Sequence, residues 1–171
     1  MPLNSSLKLE EATFYGILDT TYATEQNWIS KFKALVDGGA KIVQVRAKSK
    51  SFERRKSLFK AVYEIAQTFP KDTRPLLIVN DDIELCLEFP GSGLHLEENA
   101  PSLHLARDAL GPKRVIGLAA SSQDQAKTLL ELASGTINYF SIGPVFASQT
   151  KPECKAVGLG RVDNIKFDPI S

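Results

Sequence analysis

The sequence predicts a single α/β domain in which helices cover a parallel β-sheet. Six apolar, strand-like segments alternate with segments whose apolar residues recur at helical spacing. Nearly every position of each strand segment is apolar, which is typical of parallel strands buried on both faces. With 171 residues, 43% of them hydrophobic and 24% charged, the chain has the length and composition of one globular domain.

The predicted strands follow one another at regular intervals along the chain. They span residues 14–18, 41–45, 75–80, 93–96, 114–119 and 138–143. The segments between them predict helices, because each places its apolar residues on one face. The residues that form these faces are Trp28, Phe32, Leu35 and Val36; Leu58, Val62, Ile65, Ala66 and Phe69; and Ala126, Leu129, Leu130 and Ala133. Shorter helices are predicted at residues 82–89 and 102–110.

The helix boundaries carry their own signals. Gly38 and Gly39 end the first helix, and Pro70 ends the second. Ser122 followed by Gln125 fits a capping box that begins the last predicted helix.

Two architectures satisfy this order of elements: an open, doubly wound sheet and a (β/α)₈ barrel. Length by itself favours the open sheet, because barrels typically need about 200 residues or more.

Bulk composition excludes several classes of function. The formal net charge is +1, which gives no reason to expect a nucleic acid or an anionic membrane as a partner. No apolar run approaches the length of a transmembrane helix, and residues 1–12, expected to form a flexible segment, lack the apolar core of a signal peptide. Cys86 and Cys154 lie far apart without metal-site spacing, as in a cytoplasmic protein.

Polar residues collect where the predicted strands end, which is the functional edge in both architectures. Gln44, Arg46 and Lys48 alternate along the end of the second strand, so their side chains share one face and can converge on one anion. An arginine fork beside a lysine ammonium suits phosphate oxygens. The sequence therefore predicts a phosphate site at this edge.

Further polar groups extend this site. Asn80 and Asp81 end the third strand and offer hard oxygen ligands of the kind that Mg²⁺ prefers. Ser148, Thr150 and Lys151 follow the sixth strand as a second group of hydroxyls and a cation. Together these residues predict a phosphate or magnesium–pyrophosphate site.

Each group also has a plainer explanation when taken alone. The alternating Gln44, Arg46 and Lys48 are compatible with a solvated strand end, and "NDD" (residues 80–82) with a turn or helix N-cap. His95 is expected to be a packed core histidine, and the next acidic pair, Glu97 and Glu98, to be solvated. Only the coincidence of several groups at one edge favours a site.

Several segments resemble, in order and spacing, those of thiamine-phosphate synthases. They are "QVRAK" (44–48), "LLIVNDDIELC" (76–86), "GLHLEEN" (93–99) and the stretch from "VIGLAA" (115–120) through "GPVFASQTKPECKAVGLG" (143–160). The resemblance covers residues 14 to 167. It implies a (β/α)₈ TIM-barrel fold, of which six βα units are present, with the chain ending before strand 7.

The resemblance also implies an activity and roles for residues. The family condenses hydroxymethylpyrimidine pyrophosphate with thiazole phosphate, giving thiamine phosphate and pyrophosphate. By this resemblance Gln44, Arg46, Lys48 and Asn80 bind the pyrimidine pyrophosphate, and Asp81 ligates Mg²⁺. Ser148 and Thr150 contact the thiazole phosphate and Lys151 the pyrophosphate, so that Arg46, Lys48 and Lys151 stabilise the leaving group.

The sequence departs from the family at specific positions. A second Mg²⁺ ligand, an Asp a few residues after His-Leu, is replaced by Asn99 or Ala100, with Glu98 nearby. Two alternatives therefore stay open: a non-catalytic, phosphate-binding paralogue, and a thiazole tautomerase. The tautomerase is disfavoured because Ser121 stands where that activity needs a histidine. A partner chain or a swapped dimer that completes the barrel is a further expectation.

Overall fold

The computed structural model describes residues 9, 12–48, 50–97, 100–120, 136–147, 156, 158 and 159. The strands are β1 (Tyr15–Asp19), β2 (Ile42–Arg46), β3 (Leu76–Asn80), β4 (Gly93–Leu96), β5 (Ile116–Ala120) and β6 (Tyr139–Ile142). The helices are α1 (Trp28–Asp37), α2 (Phe52–Gln67), α3 (Ile83–Glu88) and α4 (Ala100–Leu110), with a 3₁₀ turn at Glu25–Asn27. The six predicted strands and these four helices are confirmed, while the helix predicted after Ser122 lies outside the described residues.

All six strands are parallel, and each lies beside its neighbours in the sequence, in the order β1-β2-β3-β4-β5-β6. A doubly wound sheet would instead reverse its strand order at a switch point. The sequential order is that of a (β/α)₈ barrel. The barrel-type fold implied by the resemblance is therefore confirmed, and the open sheet favoured by chain length is wrong.

The sheet curls strongly enough for side chains of its two outer strands to meet. In a flat sheet β1 and β6 would be roughly 24 Å apart, at about 4.8 Å per strand. Yet the hydroxyl of Tyr15 on β1 lies 2.9 Å from the hydroxyl of Tyr139 on β6. The strands therefore form a half-barrel with a concave inner face.

Both faces of this half-barrel are apolar along most of their length. The convex face packs against the helices, with Val43 and Val79 buried beside Phe32 of α1 and Phe59 of α2. The concave face carries a second, smaller cluster of buried residues, which are Ile42, Leu76, Ile78 and Val115. This arrangement explains why the strands are apolar at nearly every position.

Glycine makes room for a tyrosine on the concave face. Gly117 of β5 pairs with Tyr139 of β6, and a Cβ atom at Gly117 would overlap the tyrosine ring.

Among the described helices none is long and apolar enough to cross a membrane.

Candidate functional site

Polar side chains of neighbouring strands meet at the carboxyl end of the concave face. Strand alternation places Arg46 on this face above Gln44, and Arg46 pairs in register with Asp19 of β1. Asn80 ends β3, the next strand. This is the edge at which barrel enzymes carry their sites.

Arg46 is held between two carboxylates. Its Nη1 donates to Asp19 Oδ2 at 2.5 Å, and its Nε donates to Glu97 Oε1 at 3.4 Å. Burial raises the pKa of Asp19, but the hydrogen bond from the Thr21 amide and the Arg46 guanidinium outweigh it, so the pKa lies below its usual value. Both groups are therefore charged at neutral pH, and the guanidinium is fixed at the concave edge.

Lys48 lies on the solvent side of Arg46, with 45% of its side chain exposed. Its Nζ donates to Glu97 Oε2 and lies 3.9 Å from Asp81 Oδ2. Arg46 and Lys48 thus converge, as predicted, and we call this pair the anion clamp. Gln44 is placed differently: it is buried deeper and hydrogen-bonds to the Tyr15 hydroxyl.

Asn80 is buried beside the anion clamp, and its amide has no partner among the described residues. The residue is 7% exposed, and neither Nδ2 nor Oδ1 accepts or donates a hydrogen bond within this part of the chain. An unsatisfied buried polar group costs roughly 1–3 kcal/mol. Such a group is explained when a ligand satisfies it, and Asn80 faces the same concave edge as Arg46.

The two aspartates after Asn80 have separate tasks. Asp81 adopts a left-handed backbone conformation with φ of 56°, which Asp tolerates better than most residues. Its Oδ1 accepts a hydrogen bond from the Glu97 amide at 2.8 Å, which holds the carboxylate at the rim. Asp82 instead caps α3 through the Leu85 amide, so the N-cap explanation of "NDD" is correct for Asp82.

Glu97 is the site residue that the sequence prediction missed. It was expected to be solvated, but only 14% of its side chain is exposed, because it lies against Arg46 and Lys48. That prediction is wrong. The signal was available in the spacing, since Glu97 follows His95 by two residues and so shares the concave face of β4 and its extension.

Below the anion clamp lies a buried polar group of aromatic residues. His95 is buried, as predicted, and its Nδ1 lies 3.1 Å from the hydroxyl of Tyr139, with the two rings stacked. Burial raises the pKa of both Tyr15 and Tyr139, so the hydroxyls stay protonated. Ala119 lies on β5, in register with Ser141.

The other predicted site residues, Ser148, Thr150 and Lys151, lie outside the described part of the chain. The positions at which the sequence departs from the family, Glu98, Asn99 and Ser121, lie outside it as well. Within the described part, no group of three or more His, Cys, Asp or Glu residues is arranged to hold a metal ion. Asp81 offers a carboxylate of the type that Mg²⁺ prefers, and Mg²⁺ commonly binds through one or two carboxylates plus substrate phosphates.

Comparisons with known proteins identify the family to which this fold is similar. A family model described as thiamine monophosphate synthase matches residues 14–167. The thiamine-phosphate synthase of Caldicellulosiruptor bescii is 34% identical over 139 residues, which are 81% of this chain and 60% of that protein. That of Lawsonia intracellularis is 27% identical over 154 residues, covering 90% of this chain and 68% of its own length.

A solved structure is similar in fold. The thiamine phosphate pyrophosphorylase of Pyrococcus furiosus superposes with a TM-score of 0.70 at 21% identity, over 94% of this chain and 74% of that one. This chain therefore spans between three fifths and three quarters of the length of these three proteins.

Proposed function

This chain belongs to the thiamine monophosphate synthase family, and from that membership we propose that it acts as a thiamine-phosphate synthase. In this reaction the thiazole nitrogen of a thiazole phosphate bonds to the methylene carbon of hydroxymethylpyrimidine pyrophosphate, and the carbon–oxygen bond to pyrophosphate breaks. The observation that carries the proposal is the anion clamp, Arg46 and Lys48, at the carboxyl end of parallel strands.

The chemistry requires stabilisation of the leaving pyrophosphate more than it requires a general base. Arg46 and Lys48 provide two cations on one side of the ligand, where fixed charges lower the barrier as negative charge develops. The amide of Asn80, unsatisfied by any described residue, supplies a donor beside them. Asp81 would hold Mg²⁺, which supplies further neutralisation of the pyrophosphate when bound.

The remaining roles follow from family membership. We assign Gln44 to the pyrimidine pyrophosphate, Ser148 and Thr150 to the thiazole phosphate, and Lys151 to the pyrophosphate. The two proposed substrates are thus a phosphorylated pyrimidine and a phosphorylated thiazole. The proposal also includes a cytoplasmic location for the protein. We further propose that the edge of β1 or β6 pairs with a partner chain or with a swapped copy of this chain, and light scattering tests this.

The test is synthesis of thiamine phosphate by the purified chain with both substrates and Mg²⁺, followed by chromatography. Lys48→Met should lower kcat/KM at least tenfold, because it removes one cation of the clamp from a half-exposed position without opening the core. Lys60→Met is the matched control, since Lys60 is an exposed lysine of α2. Absence of product from a folded sample, shown by circular dichroism, would refute the proposed activity.

A second candidate is a non-catalytic protein that binds a phosphate ligand. It is favoured by one observation: Asn99 or Ala100 stands where the family has the aspartate that is its second Mg²⁺ ligand. Calorimetry with the pyrimidine pyrophosphate separates the candidates. Binding without turnover supports the second, and turnover excludes it.

A further inference from the structure

We infer that the carboxylate of Glu97 occupies the anion clamp as an internal ligand, and that it must leave before a phosphate group binds. The inference rests on the proposed function only for the choice of pyrophosphate as the ligand. It makes Glu97 a determinant of affinity rather than a catalytic residue.

The contacts of Glu97 resemble those of a bound anion. One carboxylate oxygen faces Arg46 Nε at 3.4 Å, and the other accepts from Lys48 Nζ. A phosphate group held by the same two cations would use its oxygens in this way. A phosphate and the Glu97 carboxylate therefore compete for the same donors.

The charges of the described residues point the same way. Among these residues, Arg46 and Lys48 contribute two positive charges to the clamp, while Asp19, Asp81 and Glu97 contribute three negative charges around it. A ligand with several negative charges would therefore meet a group of described side chains that is net negative. Withdrawal of Glu97 leaves two charges of each sign, and the binding of a cation by Asp81 shifts the balance further toward the anion.

Of the two carboxylates on Arg46, Glu97 is the one placed to leave. Asp19 is fixed within the sheet, because its Oδ1 accepts from the Thr21 amide at 2.7 Å and its side chain is almost fully buried. Glu97 comes directly after the last residue of β4, and it reaches the clamp beside the half-exposed Lys48. A rotation of its side chain toward solvent frees both cations without moving a strand.

The amide of Asn80, which has no hydrogen-bond partner in the described part of the chain, is an independent sign that a ligand belongs at this edge. Asn80 follows Val79, which is in register with Val45, so it lies next to Arg46 on the concave face. Glu97 does not satisfy the amide. A phosphate that replaced Glu97 on the clamp would contact the cations and the Asn80 amide together.

The test measures binding of inorganic pyrophosphate to the full chain by calorimetry, first in EDTA and then with Mg²⁺. Glu97→Gln should bind pyrophosphate at least tenfold more tightly than the wild type in EDTA, because the competing charge is gone. Glu64→Gln removes the same charge from an exposed position on α2 and should change the affinity less than twofold. Glu97→Asp keeps the charge on a shorter side chain and should fall between wild type and Glu97→Gln.

Two further results decide the case. Adding Lys48→Met to Glu97→Gln should remove the gain in pyrophosphate affinity, since this gain depends on the anion clamp. If a folded Glu97→Gln variant binds pyrophosphate no more tightly than the wild type, in EDTA or with Mg²⁺, the inference is overturned. If its binding is weaker than that of the wild type only when Mg²⁺ is present, Glu97 is instead a metal ligand. The assay needs no turnover, so an inactive wild type together with tighter-binding Glu97→Gln would defeat the proposed function and leave this inference standing.

Discussion

Replacing Gly117 with alanine should destabilise the fold through a single methyl group on the concave face. The added Cβ would overlap the ring of Tyr139 on the neighbouring strand, where real Cβ atoms essentially never approach so closely. The ring cannot simply rotate away, because its hydroxyl is bound to Tyr15 at 2.9 Å and to His95 at 3.1 Å. The tyrosine must therefore shift as a whole.

The magnitude follows from two contributions. Overpacking of a well-packed interior costs about 1–3 kcal/mol. Loss or distortion of the two hydrogen bonds of the Tyr139 hydroxyl adds about 1 kcal/mol for each. Because partial relaxation offsets some of this, Gly117→Ala should lower the free energy of unfolding by about 2–4 kcal/mol.

Urea unfolding followed by circular dichroism measures this change, with Gly16→Ala as the matched control. Gly16 is also a strand glycine, but a Cβ there would meet the flexible end of Leu35 at 3.2 Å, so a loss below about 1 kcal/mol is expected. Equal midpoints and slopes for the two variants would show that Tyr139 does not fill the space above Gly117, and would refute the reasoning.

Two other predictions concern the site. Asn80→Leu should raise the free energy of unfolding by about 1 kcal/mol in urea titrations, because it removes a buried amide that no described residue satisfies, while pyrophosphate binding weakens at least tenfold. Lower stability together with unchanged binding would contradict this. Asp19 has a lowered pKa in the folded state, so its stabilising contribution is present above its unfolded pKa of about 3.9 and is lost as pH falls through the folded value. The stability difference between wild type and Asp19→Asn should therefore shrink between pH 5 and pH 2, and a difference independent of pH would exclude this role.

Local sequence patterns were sufficient to predict the strands and the polar edge. Each strand is marked by continuous apolar residues bounded by glycine, proline or polar side chains, and the alternation of Arg46 and Lys48 predicted their convergence. The order of the strands could not be read from periodicity, because an open sheet and a barrel use the same elements. It followed from the family resemblance, and the sequential pairing of the strands confirms it.

The errors concern long-range partners. Glu97 was expected to be solvated because an isolated glutamate pair usually is, and only the folded sheet brings Arg46 across from β2, 51 residues away. The hydrogen bond of Gln44 to Tyr15 of β1 was likewise not visible in the spacing, while its assignment to the pyrimidine pyrophosphate stays a prediction. Spacing within one strand gives the face of a side chain, whereas its partner depends on the neighbouring strands.

The contact between Tyr15 and Tyr139 also bears on how the half-barrel unfolds. In the described sheet each strand pairs only with its sequence neighbours, a pattern that in repeat proteins allows one end to unravel independently of the other. The tyrosine hydrogen bond joins residues 124 positions apart and links the first strand to the last. Fraying of either edge then breaks the same contact, which couples the two ends and favours one cooperative transition.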